Sequence, residues 1–191
     1  PVKIEGIWEV EFLKEHDYLA KHTFKKLSDW KDHADNNIKY YSGTAVYRKS
    51  FDWNGNDSNS RYILNLGDVK IVAEVKLNVT DLGVSWMPPF EVDITDALKK
   101  GENQLEIRVT NQWSNKLIGD ERFPTSYTGY KLEGNYPKGI MMDWYVNNEP
   151  LPAGKRTTFC TASFYKDGDE LMPSGLLGPV TIEIMRFSIE L

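Results

Sequence analysis

Residues 66–110 read LGDVKIVAEVKLNVTDLGVSWMPPFEVDITDALKKGENQLEIRVT. Val69, Ile71, Ala73, Val75 and Leu77 alternate with Lys70, Val72, Glu74 and Lys76, the period of a pleated strand with one buried face. Gly83 is expected to close a turn before Val84-Ser85-Trp86, and Pro88-Pro89 marks a corner. Thr95 then presents as the N-cap of a short helical turn over Asp96-Ala97-Leu98, ended by Gly101 before a last strand, Gln104 to Thr110. Strand, turn, strand, corner, helical turn, strand: the order leaves no room for a βαβ unit.

The same pattern extends outward. Gly6 to Phe12 alternates and should be the first strand, and Tyr40 to Phe51 is a longer one, rich in aromatic and β-branched residues. Arg61–Leu66 follows a polar turn over Asp52–Ser60. With segments at 69–78, 84–86, 90–93, 103–110, 156–165 and 179–190, about eight strands result, spaced for a sandwich or jelly roll. Thr23–His33 reads as a loop with one helical turn. The expectation is a single all-β domain over residues 1–191, with one long irregular insertion, 112–154. That insertion holds Trp113, Trp144 and the tyrosines at 127, 130 and 136, and a loop of this length is usually functional or forms an interface.

Composition supports a real core: 40% apolar residues, with six Trp, ten Tyr and eight Phe. The net charge of −5, with acids and bases interspersed, gives no footprint for nucleic acid or an anionic membrane. No run reaches the roughly 18 apolar residues of a spanning helix. Cys160 has no partner for an internal disulfide and falls in an alternating run, where a small buried apolar role is expected. No signal-peptide pattern opens the chain; Pro1 lacks a preceding Met, so this bears little on location.

Several residues carry a family resemblance. Asn78, Gly83, Pro89, Phe90, Val92–Thr95, Leu98, Gly101, Asn103, Leu105, Val109 and Asn111 match the pattern of the galactose-binding-like β-sandwich that accompanies glycoside hydrolases, especially the sugar-binding domain of family 2. Val79 departs from it where that family usually has glycine, so other residues must make the turn. Ile38–Lys49, Asn111–Glu121 and Pro173–Val180 resemble the C-terminal domain of the family 106 α-L-rhamnosidases. The resemblance implies a galactose-binding-domain-like jelly roll, carbohydrate and a separate catalytic domain as partners, and a secreted or periplasmic setting. The catalytic acid and base of those enzymes sit on another domain, so no catalytic residue is assigned to this chain.

Glycoside hydrolysis needs two carboxyl groups at a fixed separation. Asp120-Glu121 is the best acidic pair, but neighbours on an extended loop point in different directions and make a poor dyad. They read as a solvated loop tip, as partners of an arginine such as Arg122, or as a loop reaching toward a neighbouring sugar site. Sugars stack on aromatic faces while their hydroxyls meet amides and carboxylates, so Trp113 and Trp144 join Asp120, Glu121 and Arg122 as candidate substrate-binding residues. Trp86, Tyr127, Tyr130, Tyr136 and Tyr145 are weaker candidates, Trp86 serving equally as a corner plug. Trp8 and Trp53 read as packing. Asp52, Asn54 and Asn56 have the oxygen spacing of a calcium loop without its later glycine and glutamate, so a hairpin turn explains them better. No cofactor is expected; a structural calcium is left open, without named ligands. His16, His22 and His33 read as surface residues. Three functions stay open: an accessory, non-catalytic domain lending loops to a sugar site, a freestanding carbohydrate-binding module, or a structural buttress.

Overall fold

The computed structural model describes residues 1–15, 18–55, 57–123, 130–134, 136–141, 143–150, 156–158 and 164–186. The chain forms a β-sandwich of the expected class. Its larger sheet has six antiparallel strands: β2 (Trp8–Glu15), β3 (Tyr18–Phe24), β4 (Thr44–Trp53), β7 (Val72–Leu77), β8 (Thr80–Ser85) and β10 (Gly101–Thr110), in the order β3-β2-β4-β10-β7-β8. The smaller sheet orders β1 (Val2–Lys3), β14 (Thr181–Arg186), β5 (Ser60–Asn65) and β9 (Glu91–Asp93) as β1-β14-β5-β9. Two further pairs stand beside these: β6 (Asp68–Lys70) with β13 (Gly175–Gly178), and β11 (Tyr130–Glu133) with β12 (Tyr136–Gly139).

Period-two alternation places one side of each sheet against the other. Trp8, Val10, Phe12, Ala45, Tyr47, Ala73, Val75, Leu77, Leu105, Ile107 and Val109 from the large sheet form one buried cluster with Tyr62, Leu64 and Ile182 from the small one. The outer face of the large sheet carries charge instead. Arg48 bridges Glu11 (2.6 Å) and Glu106 (2.8 Å), and Arg108 lies 3.3 Å from Glu74. The hydrogen bond from Arg48 holds the Glu11 carboxyl below its ordinary range.

Four local expectations need correction. Ile71 is 41% exposed, because the run 69–77 is two strands: β6 pairs with β13, β7 with β10, and Ile71 falls at the break. Gly83 makes no turn; it sits inside β8 at φ 86, where the pairing shifts register opposite Glu74–Lys76, so it marks a bulge. The turn itself is Asn78-Val79, with Asn78 at φ 56 and its side chain bonded to Ala97, Asn103 and Gln104. Finally, Asp93 caps the turn after β9 by accepting from the Thr95 N–H (2.9 Å), while the Thr95 hydroxyl accepts from the Tyr62 N–H (3.0 Å).

The region 112–154 is not featureless. It contains helix α2 (Ser114–Asp120), the β11–β12 pair and a short helix α3 (Asp143–Val146). Ahead of β4 lie a 3-10 turn (Trp30–Asp32) and helix α1 (Asn36–Lys39), so the strand expected from Tyr40 starts at Thr44. His22 and His33 are half-buried rather than on the surface, packed edge-on to Phe12 and flat against Phe24 respectively. The strand expected at 156–165 is absent among its described residues; Cys160 lies outside them, as do His16, Asn56 and Tyr127.

Candidate functional site

One end of the sandwich is built by chain segments far apart in sequence. β4 begins and β10 ends here, with Thr44 opposite Thr110. Asn111 follows at once and is buried. Its side-chain N–H groups donate to the Tyr41 carbonyl (2.9 Å) and the Ser174 hydroxyl (3.1 Å), while its oxygen accepts from the Gly43 N–H (2.9 Å). Asn115, the second residue of α2, donates to the Met172 carbonyl (2.7 Å) and to Ser174 (3.1 Å), and accepts from the Met172 N–H (2.8 Å). Ser174 in turn donates its N–H to Asp29 (2.9 Å). Two amides and one hydroxyl thus fasten the loops 40–43, 111–115 and 172–174 together. Such a buried, satisfied network fixes geometry more than it adds net stability.

Below it, Gly175 lies against the Trp30 indole so closely that a Cβ would overlap the ring, at φ 99. The Trp30 indole N–H donates to the Tyr47 hydroxyl (2.6 Å), which also accepts from the Leu176 N–H (3.1 Å). Full burial pushes the Tyr47 phenol up, so it stays neutral. The loops rest on a rigid aromatic floor.

Asp120 closes α2 and is 1% exposed. One carboxylate oxygen meets the Lys116 ammonium at 2.8 Å; the other accepts from the N–H groups of Thr157 (3.0 Å) and Thr158 (2.9 Å) and from the Thr158 hydroxyl (2.8 Å). Burial alone would raise its pKa, yet the bonds from Lys116 and Thr158 outweigh it and hold the carboxyl below the ordinary value. Glu121 pairs with Arg156 at 2.6 Å, and Arg156 also reaches the Asp120 carbonyl (3.3 Å). Arg122 donates to the Gly119 carbonyl (2.7 Å) and lies 3.8 Å above the Tyr40 ring.

The acidic pair does have an arginine partner, but it is Arg156 rather than Arg122, and the pair stands at a helix end rather than at the tip of an extended loop. Both carboxylates are spent on the segment 156–158. They staple the two ends of the excursion 122–155, and Asp120, held below the ordinary carboxyl range, is unsuited to act as a general acid.

Large apolar side chains stand exposed here, among charged ones at 166–170. Trp113 is 59% exposed at the start of α2, Phe164 71% and Met172 45%, with Tyr165 reaching Ser114 at 3.4 Å. Trp144 is half-buried on α3, its ring edge-on to Tyr145. Trp86 is well exposed and plugs no corner, whereas Trp8 and Trp53 pack inside as expected. Side chains of Tyr130 and Tyr136 lie outside the description. No group of three or more His, Cys, Asp or Glu suited to a metal occurs among the described residues. Asn115, Arg156, Thr158 and Ser174 went unnoticed in the sequence. The available signal was that Asn111–Glu121 and Pro173–Val180, two separate matches to one domain, had to meet in space.

A family profile described as glycosyl hydrolase 2 galactose-binding domain-like matches residues 16–148, well over half of the chain. The chain belongs to that family. It is 41% identical over 187 residues to a Formosa agariphila protein named "Putative beta-glucuronidase", covering 97% of this chain and 16% of that protein. A second protein of that organism, named "Beta-glucuronidase", is 31% identical over 97 residues, 47% of this chain and 10% of its own length. Among solved structures, the rhamnosidase from Novosphingobium sp. PP1Y superposes with a TM-score of 0.75 at 30% identity, over 96% of this chain and 15% of that one. This domain thus spans about a sixth of the length of the large glycosidases it is similar to.

Proposed function

We propose that this chain is an accessory, non-catalytic domain of a large glycoside hydrolase of the α-L-rhamnosidase-like type, acting outside the cytoplasm, in the periplasm or beyond the cell. It packs on the catalytic domain through the end of the sandwich that carries α2, and helps shape the sugar site there. The observation that supports this reading is the contrast at that end: its two carboxylates are consumed internally, while Trp113, Phe164 and Met172 stand exposed on loops locked to the core. A rigid platform with uncovered aromatic surface suits docking or sugar stacking, and it does not suit proton transfer.

The test uses the full-length polypeptide. Trp113→Ala should leave the fold of this domain intact and lower kcat/KM for a glycoside at least about tenfold, the cost of losing one aromatic contact of roughly 1.4 kcal/mol. Unchanged kinetics and unchanged interdomain stability for Trp113→Ala together with Phe164→Ala would overturn the reading. Hydrolysis of an aryl glycoside by the 191-residue chain alone would overturn its non-catalytic part.

A further inference from the structure

The opposite end of the sandwich is open. Trp53 pairs with Gly101 where β4 ends and β10 begins, and Arg186 pairs with Ser60 where β14 ends and β5 begins. Ten paired residues of β4, at about 3.3 Å each, put this mouth roughly 30 Å from Asn111. Along β14 the inward positions are Ile182, Ile184 and Arg186. Ile182 is core, but Ile184 and Arg186 face a cleft of ≈ 720 Å³ that also has Trp53, Asn54, Asp57, Ser60, Tyr62 and Lys100 in its walls.

Two features of this cleft are not explained by folding. First, its floor holds two buried polar atoms without a hydrogen-bond partner, the Trp53 indole N–H and the Ser60 hydroxyl, in residues that are 9% and 5% exposed. Each such group typically costs about 1–3 kcal/mol, and packing does not require the Ser60 hydroxyl, since Ala fills nearly the same space. Second, the cleft sets two cations, Lys100 and Arg186, against one carboxylate. Asp57 already accepts from the Asn59 N–H (3.0 Å), and no ion pair engages Lys100 or Arg186 among the described residues. Both cations are exposed at the rim, where an anion can reach them directly.

We propose that this mouth is a second binding site, for a sugar unit that carries an anionic group, either a carboxylate or a sulfate ester. Lys100 and Arg186 take the anion. Asn54 and Asp57 take hydroxyls, and a modest side-chain shift in the floor brings the Trp53 N–H and the Ser60 hydroxyl to the ligand. The site stands on its own residues and does not depend on the role given to the α2 end. It would hold acidic polysaccharide near the enzyme without sharing a residue with the catalytic chemistry.

Calorimetric titration of the purified protein with methyl β-D-glucuronide, glucose 6-sulfate and methyl β-D-glucoside tests it, with inorganic sulfate as control. At least one anionic sugar should bind about tenfold or more tightly than the neutral one and than sulfate, and weaken with salt. Lys100→Met and Arg186→Met should each lower that affinity about tenfold. The decisive variant is Ser60→Ala, which should weaken binding while leaving Tm unchanged or raised, because it removes an unpaired buried group with almost no change of volume; Trp53→Phe should weaken binding too, with some loss of Tm from the space its smaller ring leaves. Equal binding of the neutral glycoside, no saturation by either acidic sugar up to about 10 mM, or floor variants that leave affinity unchanged would overturn the proposal. Variants at Trp113 leave this binding unchanged, so its failure and that of the docking role are separately visible.

Discussion

Replacing Asp120 by Asn tests the claim that this carboxylate is a staple. The amide has two orientations and both fail. With its oxygen toward Thr157 and Thr158, its NH2 faces the Lys116 ammonium; reversed, it points donors at two backbone N–H groups. Hydrogen bonds to a charged acceptor contribute about 1.5–3 kcal/mol, and stripping one partner from a buried ion pair costs about 3–5 kcal/mol. The side chain is 1% exposed, so solvent screening offers little relief. A loss of about 3 kcal/mol is expected. With an m-value of about 2–3 kcal/mol/M in urea, the midpoint falls by about 1 M. The pH dependence gives an independent check. The folded-state pKa lies below the unfolded one, so the stabilisation is fully present above the unfolded value of about 3.9 and is lost as pH falls through the folded value. Asp120→Asn should therefore flatten the acid limb of a urea-midpoint-against-pH curve while lowering its plateau at pH 7. A variant within about 0.5 kcal/mol of the parent at pH 7, with its acid limb unchanged, would refute the staple and return Asp120 to the candidate sugar ligands.

Three smaller outcomes follow from the same geometry. Gly119→Ala puts a Cβ 2.6 Å from the Tyr40 ring, so thermal unfolding should show a loss of about 1–3 kcal/mol. Asn78→Ala removes the residue that holds the left-handed turn conformation together with its bonds to Ala97, Asn103 and Gln104; a cost of about 1–2 kcal/mol is expected in chemical denaturation, and Asn78→Gly should recover only the backbone part. Arg156→Met frees Glu121 and should raise proteolytic cleavage within residues 122–155 more than it lowers global stability, since it opens the neck of the excursion while the sandwich stays paired.

The sandwich was legible because its signal is repeated. Val10, Phe12, Ala45, Tyr47, Ala73, Val75, Leu77, Leu105, Ile107 and Val109 each obey the same alternation, and a core shared by two sheets is its direct consequence. The misreadings fall where alternation continues across a change of partner, as at Ile71, or where one residue type serves two geometries, as glycine does at Gly83. Helix α2 was illegible for a different reason. It has seven residues, Trp113 provides no side-chain cap, and an isolated helix of that length is unstable in water. Its stability comes from Asn115 and Asp120 bonding to segments about 60 and 40 residues further on, respectively, and no local window contains both partners. The candidates Asp120, Glu121 and Arg122 were named from local composition, so their positions were found while their partners were missed.

That dependence on distant partners bears on how the domain works. The role proposed for this end, shaping a neighbour's sugar site, requires loops placed within about 0.5 Å, and loops alone rarely hold that tolerance. Here the tolerance is transferred to the sheet: β10 delivers Asn111, Asn111 and Asn115 grip Ser174, and Gly175 seats that loop on Trp30. Asp120 and Arg156 then fix the root of the excursion to the same helix. A displacement at any one of these points moves the others, so changes at Ser174 or Thr158 should be felt at Trp113 although neither residue reaches a ligand.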